Sequence, residues 1–425
     1  MKKLVVVFIL LILAPFSFSV AHASEETQEV QLLIKQVQIL LQEVERLQAM
    51  LLPHRTTEAD FKPLKEIELK ETISKGVSWF KTAQEENGHF RYEYLPYEDK
   101  YLPLDNIVRQ AGGLYALGEV ASHDEENKLD LEETLQKSIG FFNSLSAKGE
   151  WNGYVFKCIK NSEHNDICQL GATSLALVGL IDAADRFPDI KEKYDDLIHS
   201  YGKYIVAMKK EGSGFRHAYN SGSSPSEEES SFSNGEALLA LVRYYKYSPD
   251  EDVKKVIDDS FTYFNSEDVP FDFPLYLWVM AAIKDMNELW EKEEYVEYVR
   301  EYTKWRLNGF AHRKGSNHNM CAYVEGVASA YSVLRGNIEA EELDSIQNEI
   351  NYWLRRSLDL QVGDSDVHRI IHAEDRSFFG EIVNKEKSFG GFLTDQNELT
   401  QRIDFTQHCI NSYLQQHVDI NGGSI

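Results

Sequence analysis

The sequence predicts an all-α chain folded as a ring of six helical hairpins, and three observations carry that prediction. The stretch 109–121 (RQAGGLYALGEVA) is apolar on nearly every side, with small residues where another helix can approach. Helices apolar all round are normally buried in larger proteins. Five further stretches echo it, at 168–184, 235–245, 274–283, 323–334 and 404–414. Each is preceded by an amphipathic segment with apolar residues three and four apart among charges. Six buried helices, each with a half-buried partner, close into a ring.

At 425 residues and 43% hydrophobic content the chain is large enough for one sizeable core with an appendage. Its net charge of −25, from 44 basic and 69 acidic residues, argues against nucleic-acid binding. Residues 1–23 read as a secretory signal peptide. Lys2 and Lys3 form the basic end, residues 4–18 are apolar, and Ala21-His22-Ala23 supplies the small-residue cleavage pattern. Export to the periplasm or the extracellular space is therefore expected, with no stable membrane span after processing; an uncleaved anchor is the alternative. In residues 24–52, Val30, Leu33, Val37, Leu40, Val44, Leu47 and Leu51 alternate three and four apart. Val at a and Leu at d of a heptad favour a parallel coiled coil, so a parallel homodimer through residues 30–51 is expected. The alternative is a helix packed on its own domain, because Leu32, Ile34, Ile39 and Leu41 widen the stripe. Pro53 ends this helix, and residues 53–66 read as a linker to a ring domain over 67–425.

Outer helices are expected near 68–83, 131–145, 190–209, 251–265, 288–306 and 342–360. Between outer and inner partners a glycine–aromatic signature returns, at Gly88-His89-Phe90, Gly149-Glu150-Trp151, Gly214-Phe215, Gly309-Phe310 and Gly391-Phe392. Such loose self-similarity marks a repeat architecture. Start signals place the inner helices near Asn106, Asp166, Ser233, Phe273, Asn319 and Asp404. Asp166…Gln169, Ser233…Glu236 and Asp404…Gln407 fit a capping box or its Asp variant, Pro274 suits a first turn, and Asp105-Asn106 can cap. Because the same kind of loop precedes every inner helix, all six N-termini are expected to open on one face.

The four cysteines would meet an oxidising compartment after export. Cys158 and Cys168 share a loop and can pair; Cys321 and Cys409 stand near the starts of two inner helices. The sequence does not settle connectivity. No cofactor is predicted; zinc held by Cys321 and Cys409 with His312, His318 and His408 is the alternative.

The whole pattern resembles the (α/α)6 toroids: the terpene-cyclase type, six-hairpin glycosidases, polysaccharide lyases and the helical domain of glucuronyl C5-epimerases. The run Gln84-Glu85-Glu86-Asn87-Gly88-His89-Phe90 looks like the Gln-x3-Gly-aromatic element of the cyclase-like toroids. The resemblance covers about residues 67–418 and is architectural; the Asp-rich ionisation motif of terpene cyclases is absent. Gly309-Phe310-Ala311-His312 is similar to the Gly-x-Ala-His element of lanthionine-cyclase toroids. Their zinc pattern uses a Cys-His dipeptide, whereas here the order is His408-Cys409.

The mouth of such a ring gathers Arg91, Arg109, Arg216, His217, His312, Arg313, His318 and Arg402, with Asn106, Asn319, Tyr92, Tyr94 and Trp151 as polar and aromatic neighbours. Basic groups at six helix N-termini suit an anion, the Arg fork matches a carboxylate, and aromatic faces stack on sugars. These residues are the expected substrate-binding set. Glu325, Asp404 and Glu236 are the candidate acids or bases, with His408 as alternative proton carrier; Asp404 and Glu236 also have capping readings. The combination points to a carbohydrate polymer containing uronate, acted on by a hydrolase, lyase or C5-epimerase. The competing reading is a non-catalytic glycan- or peptide-binding ring on a coiled-coil stalk. A deep pocket with two convergent titratable groups separates an enzyme from a binder.

Overall fold

The structure, a computed structural model, describes residues 62–161, 167–220, 224–311, 319–364, 367–370, 378–394 and 399–425. The expected signal peptide, coiled-coil helix and most of the linker lie outside the described residues.

Outer and inner helices alternate as the periodicity predicts. In chain order they are α1 (Glu66–Ala83) with α2 (Ile107–His123), α3 (Glu132–Ser144) with α4 (Leu170–Arg186), and α5 (Pro188–Met208) with α6 (Ser231–Tyr247). Then come α7 (Glu251–Phe264) with α8 (Phe273–Trp290), α9 (Glu293–Ala311) with α10 (Met320–Leu334), and α11 (Ala340–Leu358). A single-turn α12 (Lys385–Ser388) precedes the last inner helix, α13 (Ile403–Gln415). Each inner helix packs on the next, and α13 packs back on α2, so the ring is closed. This is the (α/α)6 toroid. One boundary differs from expectation: Glu288 belongs to the end of α8, and α9 begins only at Glu293.

The domain is less purely helical than expected. Strands β1 (Glu93–Leu95), β2 (Lys100–Tyr101), β3 (Ser146–Trp151), β4 (Tyr154–Asn161), β5 (Ile167–Gln169), β6 (Ala218–Tyr219), β7 (Val367–Ile370), β8 (Phe378–Glu381) and β9 (Gln401–Arg402) all lie in outer-to-inner connections. They form sheets ordered β2-β1-β9, β3-β4-β5-β6 and β7-β8. Strands this short give no period-2 signal long enough to read beside helical patterns. Their position makes them a rim around the N-terminal face of the inner ring.

The glycine–aromatic signature has a structural cause. Gln84 bridges Phe90, Lys209 bridges Phe215 and Gln361 bridges Phe392, each pairing the end of an outer helix with the aromatic residue after a turn. The aromatic N–H is then taken by the fourth residue of the next inner helix. Phe90 donates to Gln110 Oε1 (3.0 Å), Phe215 to Asn234 Oδ1 (2.8 Å) and Phe392 to Thr406 Oγ1 (3.1 Å). In the second hairpin Ile159 plays that part, donating to Thr173 Oγ1 at 3.0 Å. A buried polar side chain thus satisfies a loop amide and sets where each inner helix starts. Two members of the signature behave otherwise: Gly149 and Trp151 belong to β3, and Gly309-Phe310 lies within α9.

Caps were partly legible. Asn106 accepts from the Val108 and Arg109 amides, and Asp272 caps α8 with Pro274 in its first turn. The capping boxes at Ser233 and Asp404 do not form. The N-cap of α6 is Ser230 and that of α13 is Arg402, so Ser233, Glu236 and Asp404 all lie inside helices. At α4 the N-cap is Gln169, which makes no side-chain cap bond, while Asp166 lies outside the described residues. In each case the preceding connection delivers the chain to the helix earlier or later than the local motif implies.

Helices α2 and α4 approach closely through glycines. A Cβ on Gly118 would meet the Gly179 carbonyl oxygen at 2.6 Å, and one on Gly179 would meet the Leu114 carbonyl oxygen at 2.6 Å. Backbone on both sides cannot yield cheaply. Gly179→Ala is expected to destabilise by about 2 kcal/mol despite its better helix propensity, read as a lower urea midpoint at unchanged slope.

The inner helices' C-terminal ends are closed by charge. Arg243 on α6 pairs with Asp182 of α4 (2.9 Å), Glu119 of α2 (3.3 Å) and Asp285 of α8. Burial drives Glu119 up, but the Arg243 guanidinium outweighs it and holds this carboxyl down at about 2. Asp182, whose Oδ2 has no partner, is pushed by burial to about 8. These charges occupy the C-terminal end of the inner ring, opposite the face where its N-termini open.

Candidate functional site

A cavity of about 500 Å3 opens among the inner-helix N-termini. All six inner helices or their caps reach it: Asn106, Val108 and Arg109; Leu175; Ser230, Phe232, Ser233 and Glu236; Phe273, Pro274, Tyr276, Leu277 and Trp278; Asn319, Ala322 and Tyr323; Asp404, Gln407 and His408. Arg306, from outer helix α9, completes the lining. The sequence expectation of one shared mouth is met by residues up to about three hundred positions apart.

His408 is the best-supported group in it. Its Nδ1 lies 2.7 Å from Glu325 Oε2. A carboxylate oxygen accepts and a ring N–H donates, so this contact selects the tautomer with its hydrogen on Nδ1 and its lone pair on Nε2. Trp278 packs against the imidazole with ring centroids 5.9 Å apart. Glu325 itself is 0% exposed and does not line the cavity. Its Oε1 accepts from Asn411 Nδ2 (2.9 Å) and the Tyr115 hydroxyl (3.4 Å). Three donors and complete burial make it a positioning residue behind His408, a role different from the acid or base expected of it.

Glu236 is the opposite case. It lines the cavity at 3% exposure, and its Oε2 has no hydrogen-bond partner. Burial alone pushes its carboxyl up to about 8, so it holds its proton at neutral pH. The glycine of the neighbouring helix makes room for it: a Cβ on Gly171 would stand 2.2 Å from Glu236 Oε2. Because six helices close the ring in order, the third (α6) and sixth (α13) face each other. Glu236 and His408 therefore occupy opposite walls.

Asp404 reaches the cavity with both oxygens occupied. Arg402 donates from Nε to Oδ1 (3.1 Å) and from Nη2 to Oδ2 (2.7 Å), and Arg109 Nε lies 3.2 Å from Oδ2. Two guanidiniums thus occupy this carboxylate. Arg109 also donates from Nη1 to the Tyr92 hydroxyl, and the Arg402 guanidinium lies 5.5 Å from the centroid of that ring. Asn319, in the left-handed region at φ 51°, presents a buried Oδ1 with no partner.

Other expected site residues stand elsewhere. Arg91 pairs with Glu85 at 3.3 Å, and Tyr94 donates to Asp99 at 2.8 Å. Trp151, under Arg216, sits on the β3 edge of the rim, while Arg216 pairs with Glu227 at 3.1 Å. His217 Nδ1 contacts the Glu228 carbonyl at 3.0 Å. None of these lines the cavity. His312, Arg313 and His318 lie outside the described side chains.

Sequence reasoning missed Phe232, Trp278 and Arg306. Phe232 is 56% exposed although it opens an inner helix, an apolar ring left at the cavity rim. The Arg306 guanidinium lies 4.5 Å from the Phe273 ring centroid and 4.7 Å from that of Tyr323. The available signal was an arginine following the aromatic stripe Tyr298, Tyr302, Trp305.

Two disulfides, Cys158–Cys168 and Cys321–Cys409, join all four cysteines. The alternative zinc reading is thereby overturned, since zinc binding needs free thiolates and these sulfurs are bonded to one another.

No family model matches the chain, and no curated protein matches it. Solved structures share its fold. An α-mannanase of glycoside hydrolase family 76 from Bacteroides thetaiotaomicron aligns at TM-score 0.54 and 10% identity, covering 84% of this chain and 97% of that one. A cellobiose 2-epimerase from Bacillus thermoamylovorans aligns at 0.56 and 12%, covering 82% and 98%. A D-mannose isomerase aligns at 0.56 and 9%, covering 85% and 98%. At such identity the likeness establishes the (α/α)6 architecture.

Proposed function

We propose that the chain is an exported carbohydrate-active enzyme that moves a proton at the carbon beside a sugar carboxylate, as a C5-epimerase or lyase on a uronate-containing glycan. The observation that carries this reading is the pair on opposite walls of one cavity, a carboxyl kept protonated (Glu236) and an imidazole fixed as a base (His408). A retained proton on one wall and a lone pair oriented on the other divide the roles of acid and base. His408 Nε2 takes the C5 proton while Arg109 balances the charge gathering on the substrate carboxylate. In epimerisation Glu236 returns a proton to the opposite face of that carbon. In elimination the C4–O bond breaks and Glu236 protonates the departing oxygen. Either way one proton leaves carbon and one leaves Glu236, and exchange with solvent resets both groups.

Phe232 and Trp278 offer faces on which sugar rings stack. Hydrolysis is less favoured, because it asks for a second carboxylate acting as base or nucleophile and Asp404 is held by two arginines. The sugar chemistry of the epimerase and isomerase neighbours supports proton transfer on this fold. Two disulfides support an oxidising, exported location. The binding-only reading requires no such acid–base pair.

The test is incubation in D2O with a panel of uronate-bearing and neutral glycans, followed by NMR. Deuterium entering C5 of an inverted product, or an unsaturated product that has lost its C5 hydrogen and absorbs in the ultraviolet, is the expected result. Binding with neither exchange nor elimination on every glycan would assign the ring to recognition alone. Exchange confined to neutral sugars would remove the uronate.

A further inference from the structure

We infer that the Cys321–Cys409 disulfide is a positioning element for proton transfer, holding α10 and α13 in the register that seats Glu325 against His408. The inference builds on the proton-transfer reading of that site. Cys409 directly follows His408 in α13, and Cys321 precedes Glu325 by four residues, one turn along the same face of α10. The covalent link therefore sits one step from both members of the pair. Both sulfur-bearing residues are buried, at 2% and 3% exposure.

A second strap lies beside it. The Ser412 hydroxyl stands 2.7 Å from both the Cys321 and the His408 carbonyl oxygens. The two helices are thus joined at the level where the imidazole needs its partner. That partner contact is 2.7 Å long, and a slide of about 1 Å between packed helices would break it. The other disulfide provides an internal control: Cys158–Cys168 ties β4 to β5 in the rim, across a separation of 10 residues, and neither cysteine belongs to α10 or α13.

The experiment follows the His408 ring by 15N NMR in the full mature chain, alongside turnover on the glycan found by the D2O panel. The wild type is expected to show the Nδ1-protonated tautomer. In a folded Cys321→Ala/Cys409→Ala variant the ring is expected to shift toward mixed tautomers. Its kcat should fall about 10- to 100-fold with KM within about twofold. Cys158→Ala/Cys168→Ala should leave ring and kcat unchanged. If the first double variant does not fold, Ser412→Ala should move the same resonances in the same direction by a smaller amount. His408 resonances identical to wild type in the folded double variant, or in Ser412→Ala when only that variant folds, overturn the inference whatever the activity. A shifted ring in the variant, with neither exchange nor elimination by wild type on any glycan, supports the positioning role and instead defeats the proton-transfer reading.

Discussion

His408→Asn is expected to lower kcat about 1,000-fold on the glycan that the exchange panel identifies, with the fold intact. The imidazole lines the cavity and is oriented from behind by a fully buried carboxylate. Removing that carboxylate's charge should nearly reproduce the loss. Glu325→Gln keeps an acceptor for Asn411 and Tyr115, but its amide can donate toward Nδ1. It thereby favours the tautomer whose Nε2 carries the hydrogen, which is the wrong form for a base. A loss of about 100-fold or more in kcat is expected, with KM little changed. Full activity in both variants, checked by circular dichroism for folding, would remove His408 from the chemistry and leave the cavity as a binding surface.

Glu236→Gln should lose activity and gain stability together. The folded carboxyl sits at about 8 because burial disfavours its charge, against an ordinary value of 4.5. An acid raised in this way leaves stability undiminished below about pH 4.5. Stability then falls as pH rises through the interval to about 8, where the unfolded chain releases a proton that the folded chain retains. At pH 7 the cost is on the order of 3 kcal/mol. Glutamine cannot ionise, and its amide is no more unpartnered than the protonated acid. The variant should therefore melt several degrees higher at pH 7 and show little difference near pH 4.5, while kcat falls about 100-fold or more. An unchanged melting temperature at pH 7 would mean that Glu236 is ionised and paired in the folded protein, and could not be the acid.

Much of the site was readable as a location before it was readable as chemistry. The glycine–aromatic turns and the inner-helix start signals put Arg109, Glu236, Asn319, Asp404 and His408 at one mouth, and the cavity has them there. Glu325 was expected as an acid or base, and its sequence neighbours say nothing of the three donors that surround it. Arg91, Tyr94 and Trp151 looked alike to a sequence reading, as basic or aromatic residues in outer-to-inner connections. The rim strands carry them to other partners.

The alternation of outer and inner helices, the Asn106 cap and Pro274 in a first turn were determined by the sequence itself. Each depends on residues within about four positions of one another, where helical geometry links spacing directly to structure. The tertiary structure decided the rest. It joined Cys321 to Cys409 across 88 residues, set His408 against Glu325 across 83, and left the Glu236 carboxyl without a partner. Closing a ring brings together side chains whose separation along the chain carries no periodic signal. Whether a carboxylate ends there as an orienting charge, a clamped ion pair or a retained proton is set by how fully the other helices exclude water from it and by which donors they deliver.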